Sequence, residues 1–281
     1  PSDPAGPSDP AGPSDPAGAA GEWRRHLGSW AIPDEILRAA PESPWGFPPA
    51  LFARSAAAAL EDRHPDPSRR LALEALPAGG VVLDVGAGGG AASLPLAQPA
   101  AKLIAVDESE AMLESFARAA TERGVEHAEV AGRWPEAAPA TPVADVVVCH
   151  HVVYNVAGLA PFLYALTSHA RRRVVVELTA RHPQRELNPL WLTIHGVTRP
   201  ARPTAEDAAA VAAELGYEVH AERDRRSSLW DGAPREERIA FARRRLCVGP
   251  EHDGEIAAWI DGLDPETDLR DLVTLSWDGR A

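Results

Sequence analysis

From residue 80 onward, short apolar runs alternate with longer segments whose apolar residues recur every three or four positions. Residues 146–148 are three consecutive valines, which is typical of a strand buried on both faces of a parallel sheet. Strands that alternate with helices in this way predict a doubly wound α/β domain. The predicted strands are residues 81–85, 102–106, 127–131, 144–149, 173–178, 218–225 and 269–277.

Helical segments separate these strands along the chain. They are predicted at residues 91–96, 108–123, 156–170, 204–215, 234–246 and 253–263. The first of them follows a glycine-rich turn, so its free N–H groups are expected to face the turn.

The chain before residue 77 has a different pattern. Residues 1–18 are three copies of PSDPAG, and residues 1–21 are predicted to form a disordered tail because they hold almost nothing apolar to bury. Residues 22–76 are predicted to form a helical cap, in pieces at 23–27, 33–39, 49–60 and 67–76. Its aromatic residues, among them Trp30, Trp45 and Phe52, suit either a lid over the active site or a purely structural cap.

Charge and composition narrow the partners. The 281 residues carry a net charge of −13, and such a surface repels phosphate backbones and anionic membranes. The sequence therefore disfavours a nucleic-acid substrate. It has no apolar run long enough to span a bilayer and no visible signal peptide, so a cytoplasmic location is expected. Cys149 and Cys247 form no Cys-x-x-Cys pair and are expected to be small buried apolar residues.

The first strand runs into a glycine turn with the spacing Asp84, Gly86, Gly88, Gly90. Glycines allow unusual backbone angles and a close approach of a ligand. The turn alone also fits a dinucleotide-binding pattern. Asp84 favours another ligand, because dinucleotide folds usually have an apolar residue there and a carboxylate suits a ligand with an ammonium group.

Asp107 ends the second strand. A carboxylate at this place can accept hydrogen bonds from both hydroxyls of a ribose. The alternative is that Asp107 only caps the helix that follows. With the glycine turn beside it, the ligand interpretation is favoured.

Together these residues resemble class I S-adenosylmethionine-dependent methyltransferases, and more closely an actinobacterial-type branch with small-molecule methyltransferase architecture. The resemblance covers roughly residues 70–280 and implies a seven-stranded sheet, mostly parallel with an antiparallel last strand. It implies a cofactor site in which Gly132, Arg133 and Trp134 lie near adenine and Cys149 and His150 near the methionine part. The full predicted set of cofactor residues is Asp84, Gly86, Ala87, Gly88, Gly90, Asp107, Glu108, Met112, Gly132, Arg133, Trp134, Cys149 and His150.

Two departures from the family pattern qualify this site. Arg133 stands where the family often has an acid, so adenine recognition is expected to use backbone groups and stacking on Trp134. The fourth strand lacks the Asp/Asn-Pro-Pro-aromatic motif of nucleic-acid amino methyltransferases, which again disfavours a nucleic acid. No paired acidic cluster of the metal-dependent kind is evident, and no metal is predicted.

Acid–base chemistry is predicted just past the fourth strand. His151 is the preferred general base and Tyr154 the second choice, since an imidazole near neutral pH can accept a proton. Alternation along a strand would turn His150 and His151 to opposite sides, so that one of them packs on the sheet or the cofactor. Residues 181–200 follow the fifth strand and are either substrate contacts or a connecting helix.

The sequence thus predicts methyl transfer from S-adenosylmethionine to an O, N or C atom of a small molecule. Its predicted domains are the tail at 1–21, the cap at 22–76 and a catalytic domain at 77–281 with a helical insertion near 234–264. Two alternatives remain open, an NAD(P)-dependent oxidoreductase and a non-catalytic methyltransferase-like binding protein.

Overall fold

The computed structural model describes residues 18–45, 54, 66–227, 230, 232–263 and 269–281. Residues 1–17 of the PSDPAG repeats and Phe52 lie outside the described residues, as does the helix predicted at 49–60 except for Arg54. In the described ranges, no helix is both long and apolar enough to cross a membrane.

A seven-stranded sheet forms the centre of the molecule, in the order β3-β2-β1-β4-β5-β7-β6. Neighbouring strands are parallel from β3 to β5, and β7 is antiparallel to both β5 and β6. This confirms the predicted fold class, including the reversed last strand. The strands are β1 (Gly80–Val85), β2 (Ala100–Asp107), β3 (Glu126–Ala131), β4 (Ala144–His150), β5 (Ala170–Thr179), β6 (His220–Ser227) and β7 (Leu269–Asp278).

Most of the described α-helices begin and end within three residues of their predicted positions. The first instead begins at Ala19, inside the segment 1–21 that was predicted to be a disordered tail. The helix at Asn188–His195 lies in the segment 181–200, for which a connecting helix was one of two alternatives. Local signals set several of the N-termini: Asp66 accepts a hydrogen bond from the backbone N–H of Arg69, and Thr204 and Asp207 form a capping box. The helices are α1 (Ala19–Gly28), α2 (Asp34–Ala39), α3 (Pro67–Ala75), α4 (Glu110–Glu122), α5 (Leu159–Ser168), α6 (Asn188–His195), α7 (Ala205–Glu214), α8 (Arg235–Arg245) and α9 (Asp253–Asp261).

Helices cover both faces of the sheet. One face, which carries Leu83, Val147 and Val176, packs against α1, α5 and α7. The opposite face, which carries Val82 and Val148, packs against α3 and α4. The valine runs are buried on both sides for this reason, as their pattern predicted.

A third apolar cluster lies apart from the sheet, and we call it the helical cluster. It joins α2 to α6, α8 and α9 through residues such as Ile32, Trp191, Leu246 and Ile256. The segment 22–76 is therefore not one cap layer. Its first helix packs on one face of the sheet, its second joins the helical cluster, and α3 packs on the other face.

The helix predicted at 91–96 is wrong. The chain turns from Gly88 to Ser93 and then forms a single 3₁₀ turn at Leu94–Leu96. Pro95 explains the difference, because a proline has no N–H group for a helical hydrogen bond and clashes with the preceding turn. The glycine turn is consequently followed by a compact loop rather than by the N-terminus of a helix.

Candidate active site at the carboxyl edge of the sheet

The strand order reverses between β1 and β4. The chain passes from β1 to β2 on one side, and returns from β3 to β4 on the other. In open α/β sheets, ligands bind in the crevice outside the carboxyl ends of the strands at such a point. Three chain segments meet this edge: the glycine turn at 86–90 after β1, Asp107 at the end of β2, and residues 150–155 at and after the end of β4.

The glycine turn lies directly over the exit of β4. Gly86 has a φ of 71°, and its backbone N–H donates to the carbonyl of Val106 at 2.8 Å. A Cβ atom on Gly86 would overlap with Cγ2 of Val152. Backbone conformation and space therefore both require glycine at this position.

Asp107 holds the glycine turn with its side chain. One carboxylate oxygen accepts from the N–H of Gly88 at 2.8 Å, and the other accepts from the N–H of Ser109 at 2.9 Å. Ser109, rather than Asp107, is the N-cap residue of α4. Each carboxylate oxygen has a second lone pair, so Asp107 can still accept hydrogen bonds from a ligand.

Asp84 is buried at the end of β1. Its Oδ2 atom accepts from the hydroxyl of Ser93 at 2.6 Å, while Oδ1 has no hydrogen-bond partner among the described residues. Burial raises the pKa of Asp84 to about 6, although the Ser93 hydrogen bond and the His150 ring oppose that change. A buried carboxylate oxygen without a partner is costly, and a ligand cation would satisfy it.

The remaining predicted cofactor residues differ in exposure. Gly132 follows β3, and its N–H donates to the carbonyl of Asp107 at 3.0 Å. Arg133 is exposed. Trp134 is buried, with its ring edge-on to His169 at a centroid distance of 4.9 Å, so its indole is part of the core beside the crevice. Ala87 is buried, Met112 is half-buried and Glu108 is exposed.

Cys149 and His150 end β4 on opposite faces. Cys149 is fully buried with the α1, α5 and α7 side of the core, and both cysteines are free and buried, as predicted. His150 faces α3, and its Nε2 atom lies 2.5 Å from the hydroxyl of Ser68. Burial lowers the pKa of His150, although the carboxylate of Glu177 opposes the change.

His151 does not turn away from His150, so the predicted alternation is wrong here. The strand ends at His150, and His151 adopts a φ of 60°, in the left-handed region. Its backbone N–H donates to the carbonyl of Glu177 at 2.7 Å, and its Nε2 atom lies 3.4 Å from Oε1 of Glu177. The side chain is 39% exposed, so the ring is accessible to solvent.

Glu177 is a site residue that the sequence analysis missed. It lies on β5 beside His150, and its Oε1 atom is 3.8 Å from Nδ1 of His150. Arg226 on β6 donates to its other oxygen and also to Asp66 at 3.0 Å. Burial opposes ionisation, but both histidine rings and Arg226 hold the pKa of Glu177 well below its usual range. The sequence signal that could have identified Glu177 is its position as a charged residue inside the otherwise apolar run 174–178.

We call Asp84, His150, His151, Glu177 and Arg226 the carboxylate–imidazole cluster. Its five side chains come from β1, the end of β4, β5 and β6. The cluster thus brings together two carboxylates, two imidazoles and a guanidinium, and Asp84, which interacts with His150, lies two residues before the glycine turn. Such a group can hold a cation at Asp84 and can accept a proton at an imidazole.

Tyr154 has a structural partner. Its hydroxyl donates to the carbonyl of Thr179 at 2.9 Å, and its ring stacks on Trp23 at a centroid distance of 5.6 Å. Burial raises the pKa of Tyr154 far above its usual value. The phenol consequently keeps its proton. The structure therefore gives Tyr154, the predicted second base, a packing role: its ring is buried and its hydroxyl is hydrogen-bonded to the backbone.

Residues 181–200 lead from β5 into the helical cluster. His182 stacks on Trp30 at 3.8 Å, and burial lowers its pKa to about 3. Arg199 lies against the rings of Trp30 and Trp191 and donates to the carbonyl of Ala31 at 3.0 Å. Trp45 packs on the same cluster. Among the described aromatic residues of the predicted lid, Trp45 packs on the helical cluster and Trp30 contacts Arg199 and His182, whereas Trp23 belongs to the sheet core.

Comparison with known proteins agrees with this architecture. Residues 82–172 match the family model described as "Methyltransferase domain". No match to the chain was found among curated proteins.

Solved structures share the fold at low sequence identity. A cyclopropane-fatty-acyl-phospholipid synthase-like protein from Lactobacillus casei is 14% identical, with a TM-score of 0.53, 91% of this chain covered and 99% of that chain. The YcgJ protein from Bacillus subtilis is 13% identical, with a TM-score of 0.50 and coverages of 82% and 99%. A putative methyltransferase from Bacillus halodurans is 15% identical, with a TM-score of 0.50 and coverages of 76% and 97%.

The matched segment begins in β1 and ends in β5, so it contains the glycine turn, Asp107, His150 and His151. Residues 82–172 thus match a methyltransferase-domain model, in agreement with the resemblance found in the sequence.

Proposed function

We propose that this chain is an S-adenosylmethionine-dependent methyltransferase that acts on an O, N or C atom of a small molecule. The observation that carries the proposal is the arrangement of Asp84, Gly86 and Asp107 at the point where the strand order reverses. The match of residues 82–172 to a methyltransferase domain supports the same reaction.

The described residues fit this cofactor. S-adenosylmethionine supplies a methyl group on a positively charged sulfur, together with an ammonium group and a ribose. Asp84 has a buried carboxylate oxygen without a described partner, which suits the ammonium. Asp107 keeps lone pairs for ribose hydroxyls, and the positive φ of Gly86 shapes the turn that Asp107 holds.

His151 is the residue that we assign to proton removal. It lies one residue past β4, its ring is partly open, and its Nε2 atom is held by Glu177. A positioned imidazole can take a proton from an acceptor hydroxyl or amine while the new bond forms. Tyr154 stays protonated and closes the apolar side of the site.

A small molecule is the acceptor class that the charge favours. The net charge of −13 works against a nucleic acid, whose binding depends on cationic side chains that neutralise phosphates. The proposed catalytic unit is residues 77–281, and the helical cluster is the part added to the sheet domain.

Cofactor binding tests the proposal directly. Calorimetry with S-adenosylhomocysteine should give one site per chain, and NADH should give no heat. The change Asp107→Ala should weaken binding by about 1–3 kcal/mol, because it removes a charged hydrogen-bond acceptor. The matched control is Asp278→Ala, an exposed acid at the opposite edge of the sheet, which should leave affinity unchanged. Absence of heat and of a thermal shift with millimolar S-adenosylhomocysteine would contradict the proposal.

Removal of the proposed base tests the catalytic assignment. The change His151→Ala should lower the single-turnover rate of methyl transfer roughly 100-fold, because the acceptor proton loses its recipient. Affinity for S-adenosylhomocysteine should stay nearly the same. The control is His220→Ala, at the exposed start of β6. A loss of only a few-fold would mean that alignment alone drives the reaction.

A further inference from the structure

Glu177 is a buried charged residue near the carboxyl end of β5. Its side chain is 2% exposed, and its neighbours in the run 174–178 are all apolar. A carboxylate in that position is costly unless it is paired and hydrogen-bonded. Its partners therefore explain why the strand carries it.

Those partners include both histidines. Oε1 of Glu177 lies 3.4 Å from Nε2 of His151 and 3.8 Å from Nδ1 of His150. The backbone carbonyl of Glu177 also accepts from the N–H of His151 at 2.7 Å. The left-handed conformation of His151, with φ of 60°, brings its ring to this carboxylate. A non-glycine residue holds such a conformation when the surrounding contacts fix it.

The contact at Nε2 selects the form of the imidazole. A carboxylate accepts hydrogen bonds and cannot donate one, so Nε2 of His151 carries the hydrogen that faces Glu177. In the neutral ring the lone pair is then on Nδ1, which is the nitrogen that can accept a proton. The side chain of His151 is 39% exposed, so an acceptor can reach the ring.

Other charges surround this pair from every neighbouring element. Arg226 and Asp224 come from β6, Arg270 from β7 and Asp66 from the start of α3. Arg226 donates to the second oxygen of Glu177 and is itself held by Asp66 and Asp224.

The nearer groups on β4 and β1 complete the surroundings. Burial lowers the pKa of His150, the carboxylate of Glu177 opposes this change, and Asp84 faces the ring from β1. Glu177 is consequently held between Arg226 on one side and the imidazoles on the other.

We propose that Glu177 is the positioning residue of the transfer reaction: it orients His151 through Nε2 and stabilises the protonated ring. This assignment rests on the proposed function. The acceptor's O–H or N–H bond breaks and its proton goes to Nδ1 of His151. The electron pair left on the acceptor forms the new bond to the methyl carbon, and the sulfur keeps the electrons of the bond that breaks. Arg226 holds the carboxylate of Glu177 in place by its hydrogen bond, and its positive charge weakens the attraction of that carboxylate for the protonated ring of His151.

Two variants test the proposal because they change the charge at His151 in opposite directions. Glu177→Gln removes the anion, so the protonated ring is less favoured and the acid limb of the rate–pH profile should move to lower pH. Arg226→Gln removes the cation, so the acid limb should move to higher pH. The rate of Glu177→Gln should fall roughly tenfold or more on the plateau. Arg235→Gln, which breaks the exposed pair with Asp261, is the control and should change neither quantity.

A titration of the histidine ring resonances by NMR gives a readout without turnover. The midpoint for His151 should move down in Glu177→Gln, up in Arg226→Gln, and stay near its original position in Glu177→Asp, which keeps the charge. An unchanged midpoint in Glu177→Gln, or movement in the same direction in both variants, would overturn the proposal. If Glu177→Gln does not fold, Arg226→Gln and Glu177→Asp still decide it.

Failure of the proposed function is distinguishable from failure of this inference. Calorimetry with S-adenosylhomocysteine on the unaltered protein tests cofactor binding and does not depend on Glu177. If the unaltered protein binds S-adenosylhomocysteine but the titration midpoint of His151 does not move in the Glu177 and Arg226 variants, only the positioning role of Glu177 is overturned. No binding overturns the proposed function.

Discussion

Two regions of this protein bury charged and titratable side chains, and they do so in different ways. In the carboxylate–imidazole cluster, Glu177 stays ionised because His150, His151 and Arg226 surround it. In the helical cluster, His182 and Arg199 lie against the ring of Trp30, and burial lowers the pKa of both. One region keeps opposite charges in contact and the other packs cations and a neutral imidazole on aromatic faces.

The difference indicates different roles. Charges held in contact can respond when a ligand or a proton arrives, because each pairing shifts the balance of the others. Cations stacked on aromatic rings mainly add packing and hydrogen bonds to backbone carbonyls. We therefore expect substitutions in the first region to change binding and pH dependence, and substitutions in the second to change stability.

The largest effect is expected for Trp191→Ala in the helical cluster. Trp191 is fully buried and contacts both Arg199 and His195. Its loss should lower the free energy of unfolding by about 3–5 kcal/mol, measured by urea denaturation. Affinity of the folded protein for S-adenosylhomocysteine should stay within about twofold. A parallel loss of affinity would mean that the two regions are not separate.

The next largest effect is a loss of stability on replacing glycine by alanine, which we compare at two glycines with similar φ angles. Gly196 ends α6 with φ of 64° and has open space around it, whereas Gly86 has φ of 71° and lies against Val152. Gly196→Ala should cost about 1–2 kcal/mol of stability from backbone strain alone. Gly86→Ala should cost about 2–4 kcal/mol, because steric overlap adds to the strain. Equal costs in thermal or urea unfolding would show that Val152 moves away easily.

The smallest effect concerns Asp84 and pH. Because burial raises its pKa from 3.8 to about 6, ionisation of Asp84 destabilises the folded protein as pH rises from about 4 to 6. Asp84→Asn should therefore increase the free energy of unfolding by about 1–3 kcal/mol above pH 6 and by little near pH 4. The same change should weaken S-adenosylhomocysteine binding, since the ammonium loses its carboxylate. A variant that is less stable at pH 7 would contradict this account, with Asp278→Asn as the control.

Much of the fold could be predicted from the hydrophobic pattern. All seven strands lie within a few residues of their predicted positions, and the resemblance to a known family supplied the reversed direction of β7. The helix after the glycine turn was predicted wrongly because the apolar spacing of residues 91–96 outweighed Pro95. The division of residues 22–76 among three clusters depends on contacts with distant helices, which local patterns do not report.

The candidate site was predictable where residues are close in the chain. Asp84, the glycines and Asp107 follow directly from two strand ends. Glu177 was detectable in principle, as a charge in an apolar strand. Arg226 was not, because β6 carries charged residues at the five consecutive positions 222–226 and only the strand order selects one of them. The orientation of His151 depends on a single left-handed φ angle, which alternation along the strand could not predict.

The position of β7 has a consequence for how the active site is assembled. This strand follows β6 in the chain but is inserted between β5 and β6 in the sheet. Arg226 can therefore reach Glu177 only after the most C-terminal described strand has docked, and β6 has no place in the sheet before that step. A newly synthesised chain can build the cofactor half of the crevice from β1 to β4 early, because those contacts are nearer in the chain. The proposed acid–base half is completed last, so a chain that stalls before β7 would carry the glycine turn without the contact between Arg226 and Glu177.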